Sequence, residues 1–439
     1  MLRTSGGAAQ QQPDAAKGKP KPKAPFMPPS IAPVWETPAA TGDTLRTGLL
    51  GTWRSDTAYF VGRGTGVEIL DRVSGKSLGK VEPPEADMSP CGMTEGLNKA
   101  GMGAISWVKG DPLSSRAACD QVSLIDTRNG ARPVWTASVP GAVVEKQPLT
   151  SDENRLAFLS DDVLAVMSPN TVVGLGVADK RELWTWRNPG VADHKYVLNE
   201  HMVTGRDRIM VMVALETAAT QWSRTVITLD GNGTQMSAVP LPDFPVLGRK
   251  YQLLSAEPAT VLLDAAAFDR STPPEIIVFG RDGTIARRIK LSTGAGPTTP
   301  NQIDMLRTLK RFDIQLSATT VYAIADDATA ESSPAQVAAY DLATGATKWV
   351  QPVDLATRPR FLSADDDTVY VLGGKAAFDM NVYAYSAESG TRTQVGTVAA
   401  PDGLLPISSL VMDYKGGELA MVRPNQGDFG AMMFRAPGA

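Results

Sequence analysis

The stretch Ala339-Tyr340-Asp341-Leu342-Ala343-Thr344-Gly345-Ala346-Thr347-Lys348-Trp349 decides the fold. Upstream of it, Thr320-Val321-Tyr322-Ala323-Ile324 alternates with period two. Alternation, a polar turn carrying Gly or Asn, then alternation again is the pattern of a β-hairpin. Gly345 supplies the positive φ that closes such a turn. The same sentence recurs as ILDRVSGKSLG (69 to 79), LIDTRNGARPVW (124 to 135), GLGVADKRELW (174 to 184), ITLDGNGTQM (227 to 236), VFGRDGTIAR (278 to 287) and AYSAESGTRTQ (384 to 394). Gly75, Gly130, Gly345 and Gly390 are the turn residues of four copies. Lys180 stands at that place in the 174 to 184 copy, which is expected to turn less tightly.

From Gly75 through Gly130, Lys180, Gly233, Gly283 and Gly345 to Gly390 the turn residues recur every 45 to 62 positions. A repeat near 50 residues with four strands per unit is the period of a β-propeller, and no helical periodicity competes with it. The seventh unit parses into strands 360 to 363, 368 to 372, 381 to 386 and 391 to 398, labelled A to D from the central channel outward. Residues 408 to 434 then supply three strands without a fourth. The missing outer strand lies at the other end, where Ala32-Pro33-Val34-Trp35-Glu36-Thr37-Pro38 matches Lys348-Trp349-Val350-Gln351-Pro352. The expectation is an all-β, eight-bladed propeller over 31 to 439, closed by hydrogen bonds between both ends of the chain; seven blades is the alternative. Residues 1 to 30, with six Pro and four Lys, have too little apolar mass to fold and read as a linker.

The copy at 339 to 349 fits A-x-D-x-x-T-G-x-x-x-W at every fixed position and so resembles the pyrroloquinoline-quinone-type repeat of bacterial propellers, a group that includes quinoprotein dehydrogenases and BamB-like outer-membrane assembly proteins. Other copies depart from it. Trp135 arrives one residue late beside Pro133, and Gly79 and Gln394 replace the tryptophan in two copies. The resemblance implies that Trp35, Trp135, Trp184 and Trp349 dock one blade on the next. Loss of such an aromatic is expected to cost about 3 to 5 kcal/mol.

The composition narrows the function. No apolar run approaches the length of a membrane-spanning helix, and no secretory h-region is visible. A net charge of −4 argues against a nucleic-acid binder. Two His and two Cys are few for a zinc or copper site. Asp161, Asp162, Asp207, Asp365, Asp366 and Asp367 each precede a B strand, where Asp serves turns. His194 and His201 lack a third ligand, and Gly62, Gly64 and Gly66 are followed by a strand where a phosphate loop needs a helix. A quinone enzyme would need two adjacent cysteines, and none are adjacent. The expectation is therefore no cofactor, no metal and no catalytic residue, with a quinone-dependent redox propeller as the alternative.

Cys91 and Cys119 fall in the second unit, Cys91 in or near the D-to-A connection and Cys119 at the end of the B-to-C loop. Those connections emerge on one face, so a disulfide is allowed; its loop of about 27 residues would contribute about 3 kcal/mol. Two buried thiols are the alternative. A disulfide would place the protein in an oxidising, extracytoplasmic or cell-envelope compartment. The longer B-to-C and D-to-A connections make that face the expected binding surface for a protein or envelope polymer on a monomeric ring. Arg116, Trp222, Arg224, Arg270, Lys375 and Phe378 are its candidate anchors, since Arg and aromatics dominate hot spots.

Overall fold

The computed structural model describes residues 33–40, 48–110, 119–139, 155–189, 197–218, 221–242, 250–264, 274–291, 314–325, 335–353, 359–376, 379–399, 410–415, 417–423 and 429–435. Their strands form eight antiparallel sheets of four, and seven of these run A-B-C-D in chain order. The blades span 49–80, 88–138, 156–187, 197–240, 250–290, 314–352 and 360–399, and the eighth combines 411–435 with 33–38. The fold is thus an eight-bladed β-propeller. In blade 8 the outer strand Pro33–Pro38 pairs with Phe429–Arg435, Trp35 opposite Met433, so strands from the two ends of the chain close the ring. Closure removes the free seam that an open sheet would expose.

Strand sequence follows position in the blade. Ala58–Arg63 and Glu418–Val422, both B strands, are buried at every residue, because a middle strand is covered by its own sheet at both edges and by neighbouring blades on both faces. Their sequences, AYFVGR and ELAMV, are accordingly nearly continuous apolar runs. Outer D strands such as Gln235–Pro240 stay largely exposed and alternate. The core is divided among layers between successive blades. Trp35, Leu49, Tyr59, Leu70, Val411 and Met433 pack blade 8 on blade 1, and Trp53, Phe60, Met93, Ile105 and Trp107 pack blade 1 on blade 2.

The hairpin turns obey the expected chemistry with two corrections. Gly75 and Gly345 sit at φ 67° and 74°, each donating its N–H to the carbonyl four residues back at 2.8 Å. Lys180 was expected to loosen its turn. Instead it takes φ 54° and makes the same bond to the Gly176 carbonyl at 2.8 Å, so the turn is as tight as those with glycine. The late Trp135 is explained by its turn and not by Pro133. Gly130 and Ala131 both take positive φ, one residue is added there, and Trp135 returns to register opposite Leu124, as Trp349 stands opposite Ala339.

Candidate functional site

The two ends of the ring differ. At one end the A-to-B and C-to-D turns are short and hydrogen-bonded, apart from 94–101 in blade 2; Asp365 Oδ1, for example, accepts the Asp367 and Thr368 amides at 2.9 and 2.8 Å. At the other end lie the B-to-C and D-to-A connections, which reach their greatest length between Lys290 and Ile314. Not all are long: blade 1 turns through Gly64 and Thr65 and blade 3 through 168–170. Blades 4 and 7 project longer hairpins at this end, Arg208–Ala218 with Gln221–Asp230 and Thr368–Ala376 with Asp379–Ser386.

Of the expected anchors, Arg116, Arg270 and Phe378 lie outside the described residues, as does His194. Trp222 is placed near the tip of the blade 4 hairpin, opposite Glu216, and Lys375 near the tip of the blade 7 hairpin. Arg224 is committed within its own blade: its Nε and Nη2 donate to Glu200 Oε2 and Oε1 at 2.9 and 3.1 Å.

Cys91 and Cys119 form a disulfide with a Cα separation of 6.3 Å. Cys91 was expected in or near the D-to-A connection. It lies just past that connection, within strand A of blade 2, Met88–Met93, as the extra residue of a bulge between Pro90 and Gly92. The bulge turns a side chain out of alternation, which lets it reach past strand B to Cys119 at the start of strand C. Glu200 is the bulge residue of strand A in blade 4, and Arg224 holds the register place of Cys119. One position is therefore used twice, covalently in blade 2 and ionically in blade 4. In blades 5 and 7 the bulge residues are Leu254 and Leu362, which pack into cores that include Ile276 and Val382. Sequence reasoning missed this equivalence because a bulge is set by strand pairing and leaves no motif.

The docking tryptophans follow a common geometry. A Cβ on Gly75 would stand 2.5 Å from Trp35, and one on Gly390 would stand 2.6 Å from Trp349. The indole N–H of Trp35, Trp135 and Trp349 donates to the carbonyls of Arg72, Val177 and Ala387 at 3.0, 2.8 and 3.1 Å. Trp184 lies over Gly233, but its Nε1 is buried without a partner. Blade 4 turns more tightly, Gly233 bonding three residues back, and so lacks the extra carbonyl. At the next two junctions Ser237 and Arg287 replace the indole, bonding the Gly283 and Thr344 carbonyls at 3.1 and 2.7 Å. Against Gly130 no such side chain lies, since Gly79 holds the docking register opposite Ile69.

Where the ring closes, Glu418 is enclosed by three guanidinium groups. Arg435 Nε donates to its Oε1 at 2.6 Å, Arg72 Nε stands 2.9 Å from its Oε2, and Arg54 Nη1 is 3.8 Å away. Burial alone would raise this carboxyl, but hydrogen bonds from Arg435 and Arg72, together with their charges, outweigh it and hold Glu418 below the ordinary glutamate value. Arg54 also reaches Asp413 Oδ2 at 3.1 Å and the Lys415 carbonyl at 2.9 Å. The site ties blade 1 to blade 8 and is structural in character.

No protein-family model matches the chain, and no curated protein matches it. Solved propellers do. The quinohemoprotein alcohol dehydrogenase ADHIIG from Pseudomonas putida HK5 shares 9% identity over 95% of this chain and 78% of its own, at a TM-score of 0.50. BamB from Moraxella catarrhalis shares 11% over 90% and 99%, at 0.47, and the computationally designed Ika8 protein 11% over 91% and 99%, at 0.49. At these identities the likeness is one of fold. No helix among the described residues is long and apolar enough to cross a membrane.

Proposed function

We propose that this chain is a bacterial propeller of the pyrroloquinoline-quinone-repeat type, with 31–439 as the ring and 1–30 as a linker, acting as a non-catalytic binding scaffold or sensor ectodomain outside the cytoplasm. The observation that carries it is the asymmetry of the ring: short bonded turns at one end, long connections and the projecting hairpins of blades 4 and 7 at the other. Rigid scaffolds that gather their long loops on one face use that face for recognition. The Cys91–Cys119 disulfide supports an oxidising compartment. A quinone cofactor does not fit the residues present, because the only two cysteines are 28 positions apart and joined to each other.

Trp222 and Lys375 are the anchors to test, with a protein or envelope polymer as the partner. The immobilised full chain is exposed to envelope and to cytosolic extracts, beside a Trp222→Ala/Lys375→Ala variant of unchanged melting temperature. A partner retained from the envelope fraction and lost at least tenfold by the variant is expected. Equal retention by both proteins, or retention from the cytosolic fraction alone, overturns the reading.

A further inference from the structure

The sequence holds two Asn-Gly pairs, and both lie in C-to-D turns: Asn129-Gly130 in blade 2 and Asn232-Gly233 in blade 4. Asn-Gly suits such turns because both residues tolerate the left-handed conformation. The same pair is chemically labile. Glycine has no Cβ to keep its amide nitrogen away from the carboxamide carbon of the asparagine before it. In a folded chain, what bonds that nitrogen and what lies over it decide whether the two meet.

The two turns differ on both counts. In blade 4 the Gly233 N–H donates to the Asp230 carbonyl at 3.0 Å, and Asp230 Oδ1 accepts the Asn232 and Thr234 amides at 2.9 and 2.8 Å. The Asp230 N–H in turn donates to the Thr234 carbonyl at 2.9 Å. Trp184 lies over this glycine, where a Cβ would stand 2.4 Å from the indole. In blade 2 neither the Gly130 N–H nor the Asn129 side chain makes a hydrogen bond among the described residues. The Asn129 N–H reaches the Asp126 carbonyl at 3.4 Å. Asn129 and Gly130 are both exposed, and a Cβ on Gly130 would meet nothing within 4 Å. An unbonded amide nitrogen and an unbonded carboxamide thus stand next to each other on an open surface. A nitrogen whose N–H is already bonded would first have to give that bond up.

We propose that Asn129-Gly130 is a site of spontaneous covalent modification, at which the chain converts its own asparagine to an aspartyl or isoaspartyl residue, while the folded turn of blade 4 protects Asn232-Gly233. The Gly130 nitrogen forms a bond to Cγ of Asn129, the side-chain nitrogen leaves as ammonia carrying the amide proton, and a five-membered succinimide results. Water then opens the ring at either carbonyl, giving aspartate or isoaspartate. One water is consumed, one ammonia is released and nothing is oxidised or reduced. Either product adds a carboxylate to the exposed rim. The isoaspartyl form also adds a methylene to the main chain, directly ahead of Arg132–Ser138, the strand that carries Trp135 to the Val177 carbonyl. The chemistry needs no partner and stands apart from the scaffold reading.

The test holds the folded full chain in mildly alkaline buffer and digests it with pepsin in acid, where conversion stops. The peptides spanning 129 and 232 are then followed by the mass change from amide to acid and by enzymatic methylation of isoaspartate. Asn129 is expected to convert at least tenfold faster than Asn232. In guanidinium, where neither turn persists, the two rates should converge. Asn129→Gln, an exposed substitution whose ring closure would need six members, should abolish the isoaspartate signal of the folded protein. Comparable rates at the two sites in the folded chain, faster conversion at Asn232, or an Asn129 that stays intact while the unfolded chain converts overturns the proposal. A tenfold contrast that persists in guanidinium overturns it as well, since neighbouring sequence and not the turns would then set the rates. An undiminished isoaspartate signal in Asn129→Gln would place the modification elsewhere and likewise overturn it.

Discussion

Blade 1 meets blade 8 and blade 2 by different means. Toward blade 8 its outer rim is filled: Trp35 covers Gly75, the Arg72 carbonyl accepts both the Trp35 indole and Arg435 Nη2 at 3.0 and 3.1 Å, and Glu418 gathers Arg54, Arg72 and Arg435. Toward blade 2 the rim is empty at Gly79, and adhesion lies deeper, where Trp53 lies over Gly103 and donates to the Thr94 carbonyl at 2.8 Å. The blade 8 side holds strands from opposite ends of the chain, with no covalent connection across its C and D strands. Blade 2 is one continuous stretch of chain, whereas strands A to C of blade 8 are held to blade 1 by non-covalent contacts alone. Extra bonding thus falls where the ring would otherwise come apart.

The largest expected effect comes from breaking the filled side. Glu418→Ala leaves the partly buried guanidinium groups of Arg72 and Arg435 without their carboxylate; losing one partner of a fully buried ion pair costs about 3 to 5 kcal/mol, and the partial exposure of these two puts the loss at the low end of that range. Urea unfolding measures it. Because the folded-state pKa of Glu418 is depressed, its stabilisation is fully present above the unfolded value of about 4.3 and disappears as pH falls through the lower folded value. Melting temperature followed downward from pH 5 should therefore fall more steeply in the natural protein than in Glu418→Gln. Parallel curves would show that the three arginines do not act through this carboxylate.

A smaller effect separates the two rims at a single methyl group. Gly75 and Gly130 share φ 67°, so an alanine at either bears the same left-handed strain, about 1 to 2 kcal/mol. Only at Gly75 does the new Cβ also meet Trp35, at 2.5 Å. Gly75→Ala should therefore cost more than Gly130→Ala by about 1 to 3 kcal/mol, the range for overpacking a filled site. Equal melting temperatures for the two variants would mean that the 1-to-2 rim is filled after all.

How much of this the sequence carried depends on the range of the interaction. The turns and closing strand were legible because each is local: Asp341 through Gly345 writes a hairpin in five residues, and Val34-Trp35 repeats the outer-strand pattern of Lys348-Trp349. Lys180 was misread because a glycine position is a strong preference, and the left-handed turn can be held by its hydrogen bond without one. The candidate site was far less legible. Arg224 read as a candidate anchor with nothing in the sequence to pair it with Glu200, and the bulge that turns Cys91 toward Cys119 has no sequence signature. Glu418 and Arg72 lie 346 positions apart, so only the closed ring brings them together. Arg116, Arg270 and Phe378 remain expectations on connections that the described strands flank.

The finest comparison concerns single hydrogen bonds on the two sides of blade 1. Phenylalanine in place of Trp35 or Trp53 removes the same ring volume and the same donor, and leaves a different carbonyl behind at each site. The Arg72 carbonyl keeps Arg435 as a second donor, so Trp35→Phe leaves no orphaned acceptor. The Thr94 carbonyl faces a fully buried indole, 1% exposed, and loses that donor outright in Trp53→Phe. An unsatisfied buried acceptor costs about 1 to 3 kcal/mol more than one that is still bonded. Trp53→Phe should therefore be the more destabilising substitution by about 1 kcal/mol, although Trp35 sits at the seam. If Trp35→Phe proves the worse of the two, the seam depends on its indole hydrogen bond as well as on its ions, and the contrast between the two sides of blade 1 is sharper than the ion pairs alone make it.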